Sequence, residues 1–320
     1  MARLRGGIDL GGTKIQAAVV GPRGKVHGEE RVPTPTSGGP ADVAGEMIAA
    51  LKASARKAGV EPAELVGVGV GAPGDADPQG VVSTASNLPG WNGSYPLAAE
   101  LSEALGTPVR VGGDVQVAVQ AEFRLGAGKP YRSVLGIFWG TGVGGGMILD
   151  GKPWTGRGNA GEIGHTVIQR GGARCPCGRR GCLEAYAGRG AMEAKAREEN
   201  EAGTKTRLFK IMEERGHDRL KSSVWEHAVE EEDKLATHLI DRAVKALGTG
   251  IGSAVNLIDV EAVILGGGLG VRFGEPYLRR IEKEAAKHLF VDERPPAMHV
   301  AALGDLGGAI GASLLVGGRS

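Results

Sequence analysis

The stretch GIDLGGTKIQAAVVGPRGK, Gly7 to Lys25, reads as a strand, a sharp glycine turn, a second strand and a closing turn. Apolar runs bounded by Gly and Pro are strand signals. A third strand is expected near Val26 to Val32. The outline returns at Val134 to Lys152, VLGIFWGTGVGGGMILDGK: strand, glycine turn with a threonine, strand, and the hairpin turn Asp150-Gly151-Lys152. A supersecondary pattern used twice points to a duplicated domain with a cleft between the halves. The chain's 320 residues are enough for two lobes, an arrangement that favours hinge closure.

Glycine is the outlier of the composition, with 56 residues. It gathers where strand-like runs end: GGIDLGGTK, GVGVGAPGD, WGTGVGGGM and LGGGLG. Glycine lets backbone N–H groups come close to a ligand, so these clusters suggest a nucleotide or sugar cleft lined by backbone. Two of them contain a literal GxGxxG, at Gly69 to Gly74 and Gly140 to Gly145. A dinucleotide fingerprint must open a helix within a βαβ unit. Here Gly74 leads into a loop and Gly145 into a strand, which argues against a Rossmann dehydrogenase, and no Walker A loop is present.

The rest of the composition excludes more than it selects. A formal charge of +1 gives no reason to expect nucleic acid or acidic membrane as a partner. No apolar run is long enough to span a bilayer, and MARLRGGIDLGG makes a poor signal peptide because Asp9 and glycines break its apolar stretch. A soluble cytoplasmic protein is the expectation. Ala41 to Ala58 has helical spacing, Val66 to Val70 reads as a buried strand, and Asp114 opens a helix through Arg124. Gly190 to Asn256 is mostly helical, with Glu230 to Asp233 taken as a solvated helix face. Ala262 to Leu265 is another strand, and Leu306 to Leu315 packs as a closing helix.

Two groups of residues carry chemistry. The block GEIGHTVIQRGGARCPCGRRGCLE, Gly161 to Glu184, holds all 3 cysteines with His165. Three thiolates and an imidazole complete a tetrahedral zinc shell of the closed, structural kind. A disulfide with a spare thiol is the alternative, and the odd count without a secretory signal argues against it. Asp9-x-Gly11-Gly12-Thr13-Lys14 places a carboxylate at a strand end before a glycine and hydroxyl turn. The turn can present N–H groups to phosphate, and the aspartate can hold hydrated magnesium. An ordinary hairpin would look the same. Asp114 is a carboxylate at a helix start, which by itself fits an N-cap as well as a catalytic group.

Asp-x-Gly-Gly-Thr-Lys near the N-terminus, Gly-Thr-Gly-x-Gly-Gly-Gly in mid-chain and His…Cys-x-Cys-Gly-x-x-Gly-Cys-x-Glu together resemble the ROK family (repressors, open reading frames, sugar kinases), in particular its bacterial glucokinases. The resemblance runs over essentially the whole chain. It implies the actin-like ATPase (ribonuclease H-like) fold, an α/β architecture of duplicated βββαβα domains around a cleft, with a structural zinc loop over 165–182. The implied domains are a small one at 1–112, closed by a C-terminal helix over 305–320, and a large one at 113–304. The implied activity is ATP-dependent phosphorylation of the 6-hydroxyl of a hexose, glucose first. N-acetylhexosamine kinase and fructokinase are the alternatives within the family, and a non-enzymatic sugar-responsive regulator is the alternative outside catalysis. Such regulators carry an N-terminal helix-turn-helix, for which a first strand beginning by Gly6 leaves no room.

By the same resemblance, Asp9, Gly11, Gly12, Thr13 and Lys14 form one phosphate loop, and Gly140, Thr141 and Gly142 the other. Gly266 and Gly267, with Gly268, match the adenosine-side motif. Asp114 matches the catalytic base. Asn87, Asp114, Glu162, His165 and Glu184 match the sugar contacts, and His165, Cys175, Cys177 and Cys182 the metal ligands. The implied partners are a hexose, ATP, Mg2+ and structural Zn2+, with no nucleic acid or membrane and a homodimer or homotetramer as the assembly. One departure stands out. The family usually has Glu-Asn-Asp-Ala-Asn around the base, and this chain has Gly112-Gly113-Asp114-Val115-Gln116. Gly113 removes a side chain that would touch the sugar, which weakens glucose more than it weakens a sugar kinase.

Overall fold

The computed structural model describes residues 3–83, 85 and 88–316. The chain divides into two compact units, Met1–Pro130 with Pro153–Ala160 and Ala302–Ser320, and Tyr131–Lys152 with Gly161–Ala301. Each unit holds its own sheet and its own core.

In the first unit, β1 (Arg5–Leu10), β2 (Lys14–Val20) and β3 (Val26–Pro33) form an antiparallel meander. Helix α1 (Pro40–Lys57) then crosses to β4 (Val68–Ala72), which pairs parallel with β1. A short ribbon, β5 (Asp75–Ala76) with β6 (Val82–Ser83), and helix α2 (Leu97–Leu105) follow. Strand β7 (Val109–Gly113) pairs parallel with β4 and runs straight into α3 (Asp114–Leu125). The sheet order is β3-β2-β1-β4-β7. Side chains alternate across its strands. Ile8, Leu10, Ile15, Ala17 and Val19 pack on Met47 and Leu51 of α1, while Ala18 and Val20 face Ala121 of α3 and Ala309 and Ile310 of the closing helix, Gly307–Ser313.

The second unit repeats this plan. Strands β8 (Val134–Trp139), β9 (Val143–Leu149) and β10 (Lys152–Pro153) are followed by helices α4 (Glu184–Ala187), α5 (Arg189–Glu201), α6 (Leu208–Glu214), α7 (Ser222–Glu230) and α8 (Lys234–Ile258). Then come β11 (Ala262–Gly266), α9 (Gly267–Ala286) and β12 (Ala297–Val300). The order β10-β9-β8-β11-β12 matches the first sheet position for position. The pairings also correspond: β8 is antiparallel to β9 and parallel to β11, and β11 is parallel to β12.

Four expectations change in detail. The strand expected from Val66 begins at Val68, because the Val66 N–H bonds back to Leu4. Helix α3 and residues 153–160 fall in the first unit, beyond the boundary expected at 112 and 113. For α3 the cause is its small buried face, which packs on the closing helix. That closing helix is regular only over Gly307–Ser313, with single 3-10 turns at Gly304–Leu306 and Leu314–Val316. The run Glu230 to Asp233 is not one solvated face. It is the turn between α7 and α8, and Asp233 is buried as the N-cap of α8, accepting the Ala236 N–H at 2.8 Å and the Arg207 N–H at 2.7 Å. Among the described residues, no helix is long and apolar enough to cross a membrane.

Candidate active site

Ligands of open α/β sheets gather at the carboxyl ends of parallel strands, and there the first unit places its acids. Asp9 lies at the end of β1 opposite Gly71 of β4, while Gly113 lies at the end of β7 opposite Ala72. The position of a Cβ on Gly71 is 3.2 Å from the Asp114 Cα, so only glycine lets β4 pass this close to the start of α3. Gly113, not Asp114, occupies the N-cap position, and no side-chain cap bond is made there. The Asp114 carboxylate accepts the neighbouring Val115 N–H at 2.7 Å and the N–H of its own residue. It stands in the first turn and is not the N-cap residue. Burial holds Asp114 above the usual carboxylate range, against the pull of backbone N–H groups. Asp9 is pushed up to about 7, first by burial and then by the negative charge of Asp114, with Lys14 pulling the other way.

The turn Gly11–Thr13 is closed by the Gly11 N–H to the Lys14 carbonyl at 2.9 Å and braced by the Thr34 hydroxyl on the Gly11 carbonyl at 2.6 Å. Lys14 is held to the side: its ammonium reaches Gln16 at 3.1 Å and Asp305 at 3.4 Å. Gly308 of the closing helix abuts Asp9, since a Cβ there would lie 2.5 Å from the carboxylate. Nothing in the local sequence signals Gly308 or Asp305, because both reach Asp9 and Lys14 from the far end of the chain. Gln116, the other departure near Asp114, donates from Nε2 to the Gly158 carbonyl at 2.9 Å. A Cβ on Gly113 would meet the Gln116 amide at 3.4 Å, an ordinary contact, so Gln116 stands against the place where a side chain would begin.

The second unit brings the Gly140–Gly142 turn onto the start of α9. A Cβ on Gly140 would be 3.8 Å from the Gly268 N, and one on Gly267 would strike the Trp139 backbone at 2.6 Å. Gly267 also has φ +81, which only glycine adopts without strain. The buried Trp139 indole donates to the Ala187 carbonyl at 2.7 Å and stacks on Phe273, which fixes the strand end. Glu184 reaches the same turn. Its Oε2 accepts the Val143 N–H at 2.9 Å, and a Cβ on Gly142 would lie 2.3 Å from that oxygen.

The cysteine block folds as a knuckle beside Glu184. One ligand atom each from His165, Cys175, Cys177 and Cys182 lie within 4.8 Å of one another. Cys177 Sγ and Cys182 Sγ are 3.8 Å apart, as are Cys175 Sγ and His165 Nδ1. Bonds of about 2.3 Å to a tetrahedral zinc imply sulfur separations of about 3.8 Å, so the four residues fit such an ion. The three thiols do not share one acidity. The Arg179 N–H brings Cys177 down to about 6, while burial pushes Cys175 up to about 12. A cation is the natural counter-charge for three thiolates gathered this closely. All three are free cysteines, so the disulfide alternative is not realised.

Of the residues expected to meet a sugar, Glu184 and His165 both stand at the knuckle, each next to Cys175. Glu162 is exposed, directly before the Ile163–His165 turn, in which Ile163 and Gly164 are buried and His165 is half-buried; Val167 beyond it bridges to Cys182. Asn87 lies outside the described residues. Asp9 with Asp114, and Gly140–Gly142 with Gly267 and Gly268, are each brought together within one unit.

Comparison with known proteins bears on the family and the fold. A glucokinase of Halalkalibacterium halodurans is 32% identical over 315 residues, 97% of this chain and 94% of that protein. An N-acetylgalactosamine kinase of Shewanella sp. is 30% identical over 318 residues, 97% of this chain and 95% of that protein. The crystal structure of a ROK family glucokinase from Streptomyces griseus, in complex with glucose and AMPPNP, aligns with a TM-score of 0.83 at 32% identity over 98% of each chain. Residues 5–319 match the ROK family profile. With its doubled β3-β2-β1-β4-β7 sheet plan in the actin-like ATPase fold, the chain belongs to the ROK family.

Proposed function

We propose that this ROK sugar kinase transfers the γ-phosphoryl group of ATP to the 6-hydroxyl of a hexose, with glucose as the leading substrate. The observation that carries the reading is Asp114: a carboxylate at the carboxyl end of β7, outside any cap, beside Asp9 and a glycine turn. In the reaction the sugar O6 attacks the γ-phosphorus and its proton passes to the Asp114 carboxylate. The O6–P bond forms, the bond from the γ-phosphorus to the bridging oxygen breaks, and ADP leaves. Burial raises the basicity of Asp114, which suits a proton acceptor working near neutral pH. Much of the remaining acceleration comes from alignment and charge stabilisation.

The turns Gly11–Thr13 and Gly140–Gly142 are assigned to the phosphates. Asp9 offers one carboxylate beside a glycine turn, a donor set that suits a largely hydrated magnesium ion, and the ion would neutralise charge on the phosphoryl oxygens. Glu162, Glu184 and His165, with Asn87, are assigned to the sugar hydroxyls. His165 turns Nδ1 toward Cys175, which leaves Nε2 for the sugar. Zinc on His165, Cys175, Cys177 and Cys182 would leave no position open for water, so its part is to hold the knuckle.

A second reading, an N-acetylhexosamine kinase, is favoured by the missing side chain at Gly113 and by the Shewanella relative. An ADP-release assay over glucose, mannose, fructose, N-acetylglucosamine and N-acetylmannosamine decides between the readings. Turnover with no sugar sinks the kinase reading and leaves a sugar-binding regulator. For Asp114→Asn, kcat is expected to fall about 100- to 10,000-fold with the sugar KM little changed. Undiminished turnover removes Asp114 from the role of base.

A further inference from the structure

The chain leaving the knuckle lies along the whole Gly140–Gly142 turn. The Arg189 N–H donates to the Gly140 carbonyl at 3.1 Å and the Gly190 N–H to the Thr141 carbonyl at 2.9 Å. From the same place the Arg189 guanidinium reaches the Thr141 hydroxyl at 2.7 Å and, more distantly, the Ser222 hydroxyl at 3.5 Å. Ser222 Oγ stands 3.1 Å from the Cβ position of Gly268, in the first turn of α9. Arg189 thus joins the three pieces of backbone that border the turn.

The charge at this place is out of balance. Among the described residues no carboxylate makes an ion pair with Arg189. The nearby Glu193 is already shared by Arg197 at 2.8 Å and Arg219 at 3.6 Å. Arg219 also approaches, with a guanidinium nitrogen 4.0 Å from the Cβ position of Gly190. Burial, and after it the charge of Arg219, work against the proton of Arg189, while the charge of Glu193 works for it. A structural arginine would be expected to carry a carboxylate partner. Among the described residues this guanidinium hydrogen-bonds only hydroxyls and keeps most of its five N–H donors, in a planar fork that matches phosphate oxygens two at a time.

We infer that Arg189 is a phosphate-binding residue for the nucleotide, gripping the phosphate chain over the Gly140–Gly142 turn, with Arg219 adding to the field. The inference rests on the reading of that turn as a nucleotide site and adds a side chain that neither glycine motif contains. The phosphates supply the missing negative charge, and Thr141 holds the fork at the turn in their absence.

Calorimetric titration with ATP, ADP and adenosine, each with magnesium and without sugar, tests it. Loss of charge-assisted hydrogen bonds predicts that Arg189→Ala weakens ATP and ADP by about 10- to 100-fold and leaves adenosine unchanged. Arg189→Lys recovers only part of the loss, since a point charge cannot fork. The sugar KM and the bound-metal content stay at the wild-type level. Equal weakening of all three ligands overturns the inference, because Arg189 would then only shape the pocket. Unchanged ATP binding overturns it as well. If Arg189→Ala does not fold, Arg189→Gln keeps an N–H for Thr141 without the charge and reads the same ATP-to-adenosine ratio. Wild-type protein that binds no nucleotide overturns the nucleotide reading itself, whereas wild-type binding that Arg189 does not affect overturns this inference alone.

Discussion

At the Asp9 carboxylate, burial and the neighbouring Asp114 charge both favour the proton, and the group is pushed up to about 7 from an ordinary 3.8. Between those values the folded chain holds a proton that the unfolded chain has lost. This group's contribution to stability is therefore full below about pH 4 and falls as pH rises toward about 7. In magnesium-free buffer, Asp9→Asn is expected to flatten that part of the pH–stability curve and to raise stability at neutral pH. Denaturant titrations at several pH values check it, and an unchanged slope would mean that Asp9 titrates as in water. The Asp9 turn and the knuckle stood out in the sequence because each lies within one short segment, whereas Asp114 stood out only through the resemblance to the ROK family. Arg189 did not: its partner Thr141 is 48 positions away, and a lone arginine in AYAGRGA looks like any helix start. Gly308 was hidden in the same way, as one small residue among several.

At the scale of elements, the glycine clusters divide into two kinds that composition alone could not separate. Gly267 and Gly71 serve turns and strand ends at the site. Gly7 and Gly69 do not, although they stand in equally glycine-rich runs. A Cβ on Gly7 would lie 1.9 Å from the Ala309 carbonyl and one on Gly69 1.7 Å from that of Ala312, so these glycines seat the closing helix on the sheet. Gly69→Ala is expected to cost about 3 kcal/mol through overpacking, measured by chemical denaturation. A near-neutral result would mean that the helix can slide. The knuckle makes a second prediction at this scale. Glu184 follows Cys182 closely and accepts the Val143 N–H at the end of the Gly140–Gly142 turn. Stripping the metal with a chelator is therefore expected to speed hydrogen exchange at the Val143 amide as well as at Cys175 to Cys182. Exchange confined to the cysteines would separate the knuckle from the turn.

For the whole molecule, the repeat seen at Gly7 to Lys25 and Val134 to Lys152 became two sheets of identical order, because strand, tight turn and strand are local and their hydrophobic runs leave one register. The membership of α3 was not readable, since it depends on which surface its small face finds. Glu122, buried near the end of α3, accepts the N–H groups of Ala302 and Leu303 at 3.0 and 2.8 Å, tying the closing segment to the first unit. Ending the chain after Ala301 is expected to unfold the first unit, exposing Ala18, Val20 and Ala121, while the second unit keeps its knuckle and its core. Limited proteolysis followed by mass spectrometry checks this, and an intact fragment near 3–130 would refute it. The same arrangement sets an order of events on the ribosome. Residues 131–301 emerge before the segment that the first unit still lacks, so the later-made unit can settle while the earlier-made one waits. Gly308 reaches Asp9 only after translation has passed the closing helix, so the Asp9 corner is the last part of the first unit to be completed.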